Sequence, residues 1–433
     1  MNRRNFIETT LIGSSAMIVP RFVLGRGYTA PSDKLNLAGV GIGGVGKSYL
    51  QNVESEAIIT LCDVDLNFAQ SAFEKYPDAK VFQDFREMLD AVEIDGVVIG
   101  TPDHTHAIIA KAALKRGKHV YCAKPLTRTI YESRQLTKLA KETGVATQMS
   151  IQMNAAEEHR LIEEWITDGA IGDVREVHIW SNRPIWPQGI ESPVELPSVP
   201  PSLDWNLWIG PAPFRPYHPV YHPFKFRGWY DFGTGALGDM GCHQFDPVVK
   251  ALKLEGPTSI YASSTELFPE TFPKASIIYY DFPARENKPP VKVIWYDGGL
   301  KPERPPELET GRDFGEWNGG LLFIGDEGKL LASATGQNPR LIPEAKMKSY
   351  KRPPQSLPRS IGHYEEWVAA CKGGPAAGAD FSYGGPLTEI VLLGNIAVRT
   401  RRRLNWEKKT GRFIDDNEAN AFLKEPYFHG WSI

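Results

Sequence analysis

The sequence predicts an α/β protein whose first half is a parallel sheet covered by helices on both faces. Three observations predict it. Short apolar runs alternate with helical patterns from residue 35 onward, a glycine-rich turn directly follows the first run, and an aspartate closes the second. Strands buried on both faces read as such runs, and crossover helices supply the covers. At 433 residues the chain is long enough for two cores. Residues 1–30 read as a leader, 31–155 as the first domain and 156–433 as the second.

In chain order, strands are expected at 35–40, 57–62, 79–82, 95–100, 118–122 and 147–151, with helices at 47–54, 66–76, 84–91 and 105–116 between them. Further strands are expected within 258–282 and 291–296, then a Pro-rich charged loop over 283–316. A hairpin at 323–331 turns at Asp326-Glu327-Gly328, and helices over 361–371 and 386–400 follow.

The first strand runs into Gly41-Ile42-Gly43-Gly44-Val45-Gly46, which fits GxGxxG, the turn that sets backbone amides against a pyrophosphate. Gly41 to Ser48 also fits GxxxxGK[ST], with Lys47 and Ser48 in the roles of a triphosphate-binding loop. The glycine spacing favours the dinucleotide and with it a Rossmann domain. So does Asp63, 22 residues after Gly41, whose carboxylate can accept both ribose hydroxyls. It would repel a 2′-phosphate, and with Asp65 nearby NAD is favoured over NADP. Thr101, Pro102, His104 and His106 follow the fourth strand, at the edge where the nicotinamide half of a dinucleotide lies. That placement weighs against a metal site at Asp103, His104 and His106.

Two segments carry candidate chemistry. Lys124, at the end of the fifth strand and before Pro125, can stabilise an oxyanion beside a nicotinamide. Asp239, His243 and Asp246 recur at four and three residues, one face of a helix, and offer an imidazole base with a carboxylate to orient it. Cys242 falls on another face, so a zinc set is not supplied and no metal is expected.

With GIGGVG (41–46), TPDHTH (101–106), AKPL (123–126) and GALGDMGCHQFD (235–246) in order, the chain resembles the glucose–fructose oxidoreductase / inositol dehydrogenase / rhizopine catabolism (Gfo/Idh/MocA) family. The resemblance implies a Rossmann domain followed by an α/β domain with an open, mainly antiparallel sheet that often forms oligomer contacts, and hence a homo-oligomer. It also implies NAD- or NADP-dependent oxidation or reduction of sugars and cyclitols. Lys124, Asp239 and His243 take the family's catalytic places, His243 as general base. Ala123 stands where the family usually has glutamate. Residues 180–231, rich in Trp and Pro, resemble the exported, long-insertion branch. Gln152, Arg183, Trp186 and Trp229 are assigned with the catalytic three to a carbohydrate. The alternative for this stretch is a Pro-rich excursion pinned by its own aromatics.

A net charge of −3 gives no basic stripe for nucleic acid. Cys62, Cys122, Cys242 and Cys371 are scattered singly and read as reduced thiols. Arg3-Arg4-Asn5-Phe6-Ile7, before the short apolar run 10–20, reads as a twin-arginine signal for folded export to the periplasm or cell envelope. That run is too short for a stable membrane span, and folded export suits a tightly held cofactor. The function expected is NAD-dependent oxidation of a secondary hydroxyl on a sugar, glycoside or cyclitol. An NAD-assisted glycosidase or lyase acting through transient C3 oxidation, and a non-catalytic sugar-binding protein, are the alternatives.

Overall fold

The computed structural model describes residues 33–433; the leader expected over residues 1–30 lies outside them. The first sheet has six parallel strands, β1 (Asn36–Val40), β2 (Ala57–Cys62), β3 (Lys80–Phe82), β4 (Gly96–Ile99), β5 (His119–Cys122) and β6 (Thr147–Met149), in the order β3-β2-β1-β4-β5-β6. This is the Rossmann order. Strand order reverses between β1 and β4, which opens a crevice above their carboxyl ends. All four β4 residues, Gly-Val-Val-Ile, are buried, as a central strand covered on both faces requires.

Helices α1 (Val45–Gln51), α2 (Leu66–Lys75), α3 (Phe85–Ala91) and α4 (Asp103–Lys115) alternate with these strands. Two polar helices absent from the sequence reading follow, α5 (Ile130–Thr143) and α6 (Glu157–Thr167). α5 opens on a Thr129/Glu132 capping box and closes on Gly144 at φ 67°.

The second sheet has nine strands: β7 (Val174–Ser181), β8 (Ser259–Ser264), β9 (Ser276–Phe282), β10 (Val291–Tyr296), β11 (Gly319–Gly325), β12 (Gly328–Ser333), β13 (Arg340–Ile342), β14 (Leu404–Glu407) and β15 (Arg412–Phe413). Their order is β13-β12-β11-β7-β10-β9-β8-β14-β15, antiparallel except at the β7–β10 pair. The expected α/β architecture of a Rossmann domain plus a mainly antiparallel domain is therefore present.

Two helices join the halves. α7 (Gly235–Ala251) carries the aspartate–histidine face, and α8 (Phe381–Thr400) packs on α5, α7 and the second sheet. α8 buries Leu387, Ile390, Val391, Leu393 and Ile396, each worth about 1.5–3 kcal/mol when fully removed from water. Gly394 lets it approach the Tyr280 hydroxyl. Between β7 and α7, residues 182–234 contain only the short helix Trp205–Ile209 and a 3-10 turn, yet they have their own core of Leu203, Trp205, Trp208, Tyr221, Trp229 and Phe232.

Candidate active site

Gly41 turns β1 toward α1 at φ 74°, and a side chain there would strike the Thr101 backbone. A Cβ on Gly46 would meet the Gly41 carbonyl, so loop and helix touch directly. Asp63, at the end of β2, ties the loop down: one carboxylate oxygen accepts from the Ile42 and Gly43 amides at 2.8 and 2.9 Å and the other from the Asp65 amide at 3.0 Å. Burial raises this carboxyl to about 6, against those three hydrogen bonds.

The crevice opens into a cavity lined by Gly41, Gly44, Val45, Asp63, Thr101 and Pro102. Thr101 Oγ1, Trp208 Nε1 and His222 Nδ1 are buried without a hydrogen-bond partner among the described residues, and all three residues line this cavity. Orphaned polar atoms around a glycine loop and an uncapped helix start fit a bound dinucleotide. Lys47 does not line the cavity; its ammonium donates to Ser71 Oγ at 2.9 Å, leaving the triphosphate alternative without its lysine.

The far wall comes from outside the Rossmann domain. Leu207, Trp208, His222, Phe224 and Phe226 line it from the insertion, and Trp431 from the last residues. The insertion is pinned beside Asp63. The Asp204 amide donates to the Val64 carbonyl at 2.8 Å, the Leu66 amide to Ser202 at 3.0 Å, and Asp65 binds Ser202 Oγ and His222 Nε2 at 2.8 and 2.9 Å. Trp431 stacks on Phe85 with ring centroids 5.7 Å apart, under the Arg86 guanidinium.

A second cavity adjoins the first, lined by Lys124, Gln152, Arg183, Trp186, Asp239 and His243, with Phe224 and Arg227 among its other walls. Lys124, Phe224 and Arg227 line both cavities. Three cations converge on Asp239. Lys124 Nζ and Arg227 Nε donate to Oδ1 at 2.9 and 3.1 Å, Arg183 Nε donates to Oδ2 at 3.3 Å, and Lys124 also donates to the Asp239 carbonyl. Burial alone would raise the Asp239 carboxyl, but Lys124, Arg227 and Arg183 together hold it well below the usual carboxylate range. His243, one turn further along α7, is pushed down to about 3 by burial and by Lys124, so its ring is neutral. No described residue hydrogen-bonds that ring.

Several assignments need correction. Asp239 orients Lys124, not His243, and Asp246 is taken up by Asn154, Tyr383 and His159. Trp229 is fully buried, its indole N–H on the Val220 carbonyl, and lines neither cavity. Trp180, Trp205 and Trp208 are likewise core residues, so the aromatic stretch is mostly its own scaffold; Trp186 alone of these lines the second cavity. His104 is buried between the Phe232 and Trp208 carbonyls and does not reach the cofactor cavity. His106 bridges the Pro125 and Thr101 carbonyls at 2.9 and 2.8 Å, positioning both loops without lining the cavity itself. Among the described residues, no three His, Cys, Asp or Glu side chains form a metal cluster. Phe224 and Trp431 are site residues that the sequence did not single out, and His222 and Arg227 stood only among the hydrogen-bonding side chains of the aromatic stretch.

Residues 35–151 match the family model described as "Oxidoreductase family, NAD-binding Rossmann fold", and 180–267 match that of its C-terminal α/β domain. Over these residues the chain is similar to both domain models of the Gfo/Idh/MocA oxidoreductases. It is similar to inositol 2-dehydrogenase of Salmonella typhimurium, 28% identical over 32% of this chain and 43% of that protein. It is also similar to D-glucoside 3-dehydrogenase of Escherichia coli, 30% identical over 33% of this chain and 42% of the relative. The matches thus span less than half the length of these two relatives. In fold, the chain is similar to the WlbA dehydrogenase of Bordetella pertussis, solved with NADH and UDP-GlcNAcA (TM-score 0.61, 16% identity, 86% of this chain and 99% of that one).

Proposed function

We propose that this Gfo/Idh/MocA protein is an NAD-dependent dehydrogenase acting on a secondary hydroxyl of a sugar, glycoside or cyclitol. The observation that carries the reading is the shared wall: Lys124 lines both cavities, and one face of α7 delivers Asp239 and His243 beside it. Bound NAD would supply the hydride acceptor. His243, neutral at physiological pH, takes the hydroxyl proton. Lys124 donates a hydrogen bond to the oxygen as charge develops, and Asp239 holds that ammonium in place. The Asp63 carboxylate supports NAD over NADP, since a 2′-phosphate would meet a negative charge. The test is appearance of reduced nicotinamide absorbance with glycosides and cyclitols. If no member of such a panel is oxidised while NAD binds, the sugar-binding alternative takes its place.

One observation favours a redox-cycling variant. The insertion and Trp431 wall the cofactor cavity, which supports a tightly held cofactor. An enzyme that keeps its cofactor is suited to transient oxidation at C3, elimination across C2, addition of water and return of the hydride. Solvent deuterium entering at C2 separates that route from simple dehydrogenation.

Folded export and self-association belong to the same proposal. Arg3-Arg4 before a short apolar run supports the twin-arginine route, and the nine-stranded sheet supplies a face of the kind used for oligomer contacts. Envelope fractionation of an Arg3→Lys, Arg4→Lys variant and light scattering check the two points. Among the described residues no helix is long and apolar enough to cross a membrane.

A further inference from the structure

We propose that the substrate of this site is an anionic sugar, one whose ring bears an oxyanion group that seats between Arg183 and Arg227. The inference rests on the dehydrogenase reading and narrows its substrate class. Four charged side chains line the second cavity, and three of them are cations: Lys124, Arg183 and Arg227 face a single carboxylate, Asp239. Their side chains are only 15%, 17% and 21% exposed, so water screens them little. Nearby residues do not restore the balance. Ala123 beside Lys124 carries no charge. Asp103 lies outside this cavity, accepts from Thr234 Oγ1 at 2.6 Å, and is raised by burial toward its neutral form.

Each arginine also keeps donors in reserve. Arg183 spends Nε on Asp239 and Nη1 on Asn182, and Arg227 spends Nε on Asp239 and Nη1 on the Phe224 carbonyl. Nη2 of both has no acceptor among the described residues. The Arg227 guanidinium is held 4.6 Å from the rings of Phe224 and Phe226, which fixes its plane before any ligand arrives. A planar fork with free N–H groups is the arrangement that recognises a carboxylate, sulfate or phosphate. A neutral sugar would leave three largely buried cations sharing the single Asp239 carboxylate, a net positive charge that an anionic ligand would balance.

The experiment uses the full chain loaded with NAD. Calorimetric titrations compare methyl glucuronide, a glucose sulfate and a glucose phosphate with methyl glucoside, at low and high salt. The expected result is that at least one anionic ligand binds roughly tenfold tighter than the glucoside and weakens as salt rises. Which of the three wins identifies the oxyanion. Arg183→Gln and Arg227→Gln each remove that preference, with circular dichroism checking that the variants are folded. A glucoside that binds as tightly as all three anions, or a preference untouched by both substitutions, overturns the proposal. Turnover is scored separately. Equal oxidation of glucoside and anionic sugars leaves the dehydrogenase standing without this inference; tight anion binding with no hydride transfer does the reverse.

Discussion

At the scale of single residues, the site turns on where charge is balanced. Lys124 is fixed by Asp239 and shares it with two arginines, so removing the lysine leaves Asp239 paired and the fold intact. Lys124→Ala is therefore expected to lower kcat by about 10²–10³ with little change in NAD affinity, the cost of one preorganised donor to a developing oxyanion. Asp63 gives a pH signature. Its carboxyl sits at about 6 in the free protein, and the ionised form is the stronger acceptor for ribose hydroxyls. NAD affinity is then level above pH 6 and falls below it; Asp63→Asn flattens the profile, as fluorescence titration would record. Lys124, Asp239 and His243 were legible because glycine spacing, a strand end and a four-residue interval announce them. Arg227 was legible only as one hydrogen-bonding side chain in an aromatic stretch; its pairing with Asp239 and the rings at Phe224 and Phe226 that hold it come from the fold.

At the scale of elements, the strands and Rossmann helices were legible from apolar runs, and the polar helices were not. α5 and α6 are mostly polar, and their apolar faces, Ile130, Leu136 and Ala140 in one and Ile162, Trp165 and Ile166 in the other, sit among charged neighbours. The sequence places the start of α8 at Pro386, where proline suits a first turn. The helix instead begins at Phe381, with Asp380 accepting from the Ser382 and Tyr383 amides, and carries Pro386 inside. Trp186 and Trp229 were assigned to a ligand, with a stretch pinned by its own aromatics as the alternative, and most of the tryptophans serve that small core; composition alone does not separate a stacking face from a packed one. Trp431 was invisible for the opposite reason, a lone aromatic whose partner Phe85 lies more than three hundred residues away. Trp431→Ala opens the wall of the cofactor cavity. The dissociation rate of NAD is expected to rise about tenfold or more in a stopped-flow chase, consistent with roughly 1.5–3 kcal/mol for a large apolar side chain.

For the whole molecule, buried histidines set the response to acid. Burial pushes His104 and His243 down to about 3 and His363 to about 4. The unfolded chain, with histidines near 6.5, takes up these protons first, so stability present above pH 6.5 is lost as pH falls toward 4. Asp63 and Asp297, both raised to about 6 by burial, act the other way, losing stability as pH rises through 4 to 6. His119, His178 and His222 are lowered by burial as well, and Asp103, Glu132 and Glu163 raised, so six histidines, three of them far displaced, oppose five carboxylates. The thermal midpoint of the unliganded chain is expected to drop by several degrees between pH 6.5 and 4, measurable by scanning calorimetry.

The cluster at Asp239 also bears on how the chain assembles. Its three cations come from 115, 56 and 12 residues away, on β5's loop, the start of the insertion and the turn before α7. The two longer separations make for late contacts, because the intervening loops must already be ordered. Until all three segments have docked, the carboxylate lacks its counter-charges and the lysine is unaimed. During refolding, far-ultraviolet ellipticity is expected to recover well before any catalytic competence, so that the appearance of activity times the final docking of the insertion onto the finished sheet.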